Sequence, residues 1–82
     1  MFFTPNGDGV NDTWEIKNIG YYPNAEIEIY DRFSKKLLTY KGYEKGWNGI
    51  YLNHLMPATD YWYIIKIEEL GKPRVGHFTL KR

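Results

Sequence analysis

Apolar and polar residues alternate along much of this chain with a period of two. Trp14-Glu15-Ile16-Lys17 and Ala25-Glu26-Ile27-Glu28-Ile29 both place large apolar groups on one side and charges on the other. This is the pattern of strands with one face on a core and one in water. Lys36-Leu37-Leu38-Thr39-Tyr40 follows the second run after the polar Ser34-Lys35 pair, which predicts a hairpin between them. Tyr61 to Ile67 is nearly continuous in aromatic and β-branched residues and reads as a central strand buried on both faces. Gly71-Lys72-Pro73 predicts the turn into a last strand from Val75 to Lys81, since glycine tolerates positive φ and proline needs no ladder donor.

No window carries a helical stripe of useful length. The expectation is an all-β fold, a small immunoglobulin-like sandwich of six to seven antiparallel strands, as one domain over residues 1–82. The core is expected at Trp14, Ile16, Ile27, Ile29, Leu38, Tyr63, Ile65, Phe78 and Leu80.

Composition explains how so short a chain fills a core. A domain of 82 residues buries only roughly 60% of the surface its unfolded chain exposes, so packing must be efficient. Three Trp, eight Tyr and four Phe supply it. Eleven basic and ten acidic residues leave a net charge of +1, which disfavours a nucleic-acid module built on a broad basic face. With no cysteine, disulfides, thiolate metal sites and cysteine nucleophiles are excluded. The apolar runs are too short to insert in a bilayer as helices, and the N-terminus lacks the pattern of a signal peptide. Met1 is therefore read as the start of a piece cut from a longer protein; if that protein is exported, its signal peptide lies upstream.

Catalytic constellations are sparse. His54 and His77 lie in different segments and are read as surface histidines, and no serine sits beside a candidate base. Glu26 with Glu28, and Glu68 with Glu69, are read as solvated charges. The domain is expected to be non-catalytic.

Two binding chemistries are open. In the opening loop, Asn6, Asp8, Asp12, the carbonyl of Val10 and a two-oxygen Glu15 fall at calcium-loop spacing, with Thr4 where an aspartate is usual. The same residues also suit consecutive Asx turns that bind no metal. Tyr21, Tyr22, Tyr43, Trp47 and Tyr51 lie near turns, either as a flat platform for sugars or as packing at the ends of the sandwich. Trp47 separates the two: a platform leaves its ring exposed.

The order of motifs adds a resemblance. Phe3-Thr4-Pro5-Asn6-Gly7-Asp8-Gly9-Val10-Asn11-Asp12, then Tyr22-Pro23-Asn24, Ile29-Tyr30-Asp31-Arg32-Phe33, Gly46-Trp47-Asn48-Gly49, Thr59-Asp60-Tyr61-Trp62-Tyr63 and Gly76 to Arg82 follow one another as in a single family. The chain resembles the type B C-terminal sorting domain of the type IX secretion system, also called the gliding-motility-associated C-terminal domain, of Bacteroidetes. Two departures stand out: Ser34 replaces the family's glycine after Phe33, and Asn53-His54-Leu55-Met56 replaces its usual Asn-Gly-Lys-Leu before Pro57.

The resemblance implies an immunoglobulin-like plan and a role as an address. An N-terminal cargo in cis would be carried through the periplasm and the outer-membrane translocon to the cell surface or medium, with a PorP/SprF-like outer-membrane protein as partner. Candidate recognition residues are Lys81 and Arg82, which cap the last strand with positive charge. Asp31 and Arg32 are read either as recognised groups or as a pair fixing a strand corner. The alternative is a carbohydrate- or calcium-binding module of a surface adhesin.

Overall fold

The period-two segments pair into one sheet. In the computed structural model, which describes residues 2–4, 12–16 and 19–81, β2 (Glu26–Tyr30) and β6 (Asp60–Lys66) form its antiparallel centre. Ile27 stands opposite Ile65 and Ile29 opposite Tyr63, while Glu28 faces Ile64 and Tyr30 faces Trp62 on the other side. β3 (Lys36–Lys41) joins β2, and β7 (Arg74–Leu80) joins β6, both antiparallel. β1 (Phe2–Phe3) runs parallel to the end of β7, completing the order β1-β7-β6-β2-β3. β4 (Ile50–Tyr51) and β5 (His54–Leu55) make a separate two-stranded hairpin. Its two-residue turn holds Leu52 at φ 51° and Asn53 at φ 66°, the twin positive angles of a type I′ turn.

The all-β, sandwich-like reading therefore holds, with the β1–β7 pair parallel and the other strand pairs among the described residues antiparallel. Two residues at the far end of the chain carry no local signal of whom they pair with. Gly71, at φ 73°, closes a 3-10 turn before β7, where the sequence places a turn. In β3 the register jumps from Ile29–Leu38 to Tyr30–Lys36, which leaves Leu37 as the extra residue of a bulge. Leu37 is thereby buried and Leu38 packs against the same core.

Aromatic rings fill one face of the sheet. Trp14 stacks on Phe78 with centroids 4.3 Å apart and planes 14° apart, and Trp47 meets Tyr61 edge-on at 5.0 Å. Phe3, Trp14, Ile27, Ile29, Tyr61, Phe78 and Leu80 are all buried. Of the nine expected core residues, Ile16, Leu38 and Tyr63 are only half-buried but pack on this cluster.

Two strand readings are corrected. Trp14 to Ile16 is not a strand: its alternation survives, with Trp14 inside and Glu15 outside, but its amide bonds across to the Trp47 carbonyl at 2.8 Å instead of joining a ladder. β6 is central but buried on one face only; Tyr61 and Ile65 point inward while Trp62 and Lys66 face solvent. Lysine at its end and a charged neighbour strand suit water on that side. The layer over the sheet is thus irregular chain plus the β4–β5 hairpin, pinned where Trp14 and Trp47 cross. A Cβ on Gly46 would collide with the Trp14 carbonyl, so only glycine permits that crossing.

Candidate functional site

The expected site residues that are described lie at the β2–β3 corner, at the end of β7, after the opening loop and at the turns that carry the aromatics. At the β2–β3 corner, the Asp31 carboxylate accepts hydrogen bonds from the Phe33 and Lys35 amides at 2.8 and 2.9 Å. The Ser34 amide donates to the Asp31 carbonyl at 3.1 Å, and the Asp31 amide to Lys35 O at 3.0 Å. Asp31 thus builds the turn from within. Arg32 is exposed and lays its guanidinium over the Phe33 ring, 4.9 Å from the centroid, in place of a pair with Asp31.

At the end of β7, the Lys81 amide donates to the Phe3 carbonyl at 2.9 Å, and Thr79 and Leu80 pair with Phe2 and Phe3. β1 therefore occupies the sheet edge beside Lys81. Arg82 lies outside the described residues.

Of the five oxygen donors in the opening loop, Asn6, Asp8 and Val10 lie outside the described residues. Asp12 is half-buried, and the Glu15 carboxylate accepts a hydrogen bond from the Thr13 hydroxyl at 2.6 Å. Among the described residues no three His, Asp or Glu side chains cluster as a metal site.

The turn aromatics do not form a platform. Trp47 is only 3% exposed, and its indole N–H donates to Ile50 O at 3.0 Å. Tyr22 and Tyr51 pack on the core, leaving Tyr21 and Tyr43 as isolated exposed rings. The ring beside the Gly46 turn was needed to cap the core, which removes the sugar platform read from these positions.

What the sequence reading missed is the outer face of the sheet. Glu28, read as solvated, is 5% exposed there, covered by the side chains that approach it. Tyr30 donates to its carboxylate at 2.9 Å, and Lys66 and Lys36 lie at 3.3 and 3.6 Å. The Tyr30 hydrogen bond first, then Lys66 and Lys36, hold the Glu28 carboxyl below the usual glutamate value against the opposing effect of burial. The same bond pushes the Tyr30 phenol up. Glu26, half-buried, reaches Lys41 at 3.8 Å. Beside this network an open groove of about 420 Å³ runs past Tyr30, Arg32, Trp62, Ile64 and Val75. His77 faces Trp62 across the strands, centroids 6.1 Å apart. The parity of Trp62 in β6, opposite to Tyr61 and Tyr63, was the signal that it points outward.

The Thr79 hydroxyl donates to the Asp60 carboxylate at 2.6 Å, and both histidines are exposed, His54 on β5 and His77 on β7. Against known families, the model described as the CHU_C type IX secretion signal domain matches residues 1–80. The chain belongs to that family. No curated protein and no solved structure gives a match. A type IX secretion signal domain marks its protein for secretion or the cell surface, and the family is not a known enzyme class.

Proposed function

We propose that this domain is the C-terminal address of a larger exported protein and has no catalytic activity of its own. The cargo, joined in cis, crosses the inner membrane by an ordinary signal peptide. The folded domain is then recognised in the periplasm, and the whole protein leaves through the outer-membrane type IX translocon. A PorP/SprF-like outer-membrane protein is the partner that reads it. The family match over residues 1–80 carries this reading. The fold supports it physically: a single aromatic core makes a compact tag.

The partner is tested by genetics. In a type IX-competent bacterium, an exported fluorescent reporter ending in this domain should reach the surface or medium, and deleting its PorP/SprF-like protein should leave it in the periplasm. Undiminished export in the deletion strain contradicts the assignment of partner while leaving the secretion role intact.

A further inference from the structure

The edge of β7 is only half used. Leu80 N–H donates to Thr59 O at 3.0 Å, and the register continues through Tyr61–Phe78, Tyr63–Gly76 and Ile65–Arg74. In such a ladder the backbone groups of Arg74, Gly76 and Phe78 face β6, and those of Val75 and His77 face away. β1 covers that outer side only at Thr79 and Leu80. Among the described residues nothing pairs with the Val75 N–H and C=O or with the His77 N–H. Val75 is 67% exposed and His77 is exposed.

The other edge of the sheet, β3, is guarded: it begins and ends with lysine and carries the Leu37 bulge, devices that discourage strand addition. The open stretch of β7 has only Arg74, at its end.

We propose that the strand completing this edge comes from the cargo side, as polypeptide joined ahead of Met1 that prolongs β1 along β7. This rests on the secretion-signal reading, because an address needs a cargo in cis. Direction and register follow from β1, which runs parallel to β7 with Phe2 opposite Thr79. Keeping that register puts the second residue ahead of Met1 opposite Gly76. Its carbonyl accepts the His77 N–H and its N–H donates to Val75 O, as parallel pairing requires. The fourth residue ahead of Met1 accepts the Val75 N–H. The first and third residues stand opposite His77 and Val75 and on the side of Trp62 and Ile64, so apolar or threonine side chains suit them. The junction between cargo and address is then a strand of the address itself, and proline or glycine there leaves the edge open.

Amide hydrogen exchange followed by NMR tests this on the 82-residue chain, alone and with five residues added ahead of Met1. One extension is Thr-Val-Thr-Val-Thr and the other Gly-Pro-Gly-Pro-Gly. The strand-forming extension should slow exchange at Val75 and His77 by about tenfold or more relative to both other proteins. Gly76 and Phe78, whose amides face β6, should not change and report that the fold is intact. Equal exchange at Val75 and His77 in all three proteins overturns the proposal. So does protection already present in the unextended chain: if it grows with protein concentration a second copy takes the edge, and if it does not the chain covers its own edge. The readout needs no secretion machinery, so it fails or succeeds independently of the export assay.

Discussion

Ser34 holds φ at 66°, in the left-handed region that favours glycine. It is kept there by the Asp31 turn, whose carboxylate gathers the Phe33 and Lys35 amides on either side. Ser34 is exposed, so its substitution changes backbone strain with little loss of packing. Ser34→Gly should raise stability by about 1 kcal/mol, or roughly 4–8 °C in melting temperature for a domain this size, as read by thermal unfolding. Ser34→Ala should not. Equal melting temperatures for all three proteins would remove strain from the account of this corner. The sequence made Asp31 conspicuous but not its use: a carboxylate beside an arginine suggests an ion pair, whereas a turn-forming aspartate is satisfied first by the nearest amides.

At the scale of elements, β2 and β6 show how far alternation reaches. Ile65 came from a run read as buried on both faces, but in β2 alternation gave Ile27 and Ile29 to the core, as found, and put Glu28 on the outer face, where it is buried and not solvated. It could not show that Lys66 from β6, Lys36 from β3 and Tyr30 from β2 would close over that carboxylate, because those neighbours depend on strand order. Trp14 to Ile16 marks the other limit: alternation reports which side is buried, and a strand further requires a partner for its amides. The Glu28 cluster has a pH signature. Because its folded pKa is lowered, the stabilisation is complete above the unfolded glutamate value of about 4.3 and is lost as pH falls through the lower folded value. Denaturant melts from pH 7 to pH 2 should therefore show an acid limb that is shallower in Glu28→Gln than in the parent protein. Parallel limbs would mean the ion cluster adds nothing to the fold beyond ordinary surface pairs.

For the whole molecule, one aromatic core does the work that two full sheets do in larger sandwiches. Trp14 and Trp47 lie crossed over Phe78 and Tyr61, joining irregular chain to the sheet. Trp47→Ala should cost about 3–5 kcal/mol, a large share of the roughly 4–12 kcal/mol expected for 82 residues, and chemical denaturation will measure it. A loss under 1 kcal/mol would contradict the capping role. Burial of Trp47 was legible beforehand, since a large ring between Gly46 and Asn48-Gly49 has little to do but fold back. The β1–β7 pairing was not, because two residues meeting a strand more than seventy positions away leave no periodic trace. The sorting role was legible mainly through the order of motifs, and the family match now stands for the same inference. Its most direct test is a folded fluorescent reporter with an export signal and these 82 residues at its C-terminus, expressed in a type IX-competent bacterium and in its translocon-deficient derivative. The account predicts reporter outside the cell or on its surface in the first and periplasmic reporter in the second; periplasmic reporter in both, with the domain folded, would contradict it.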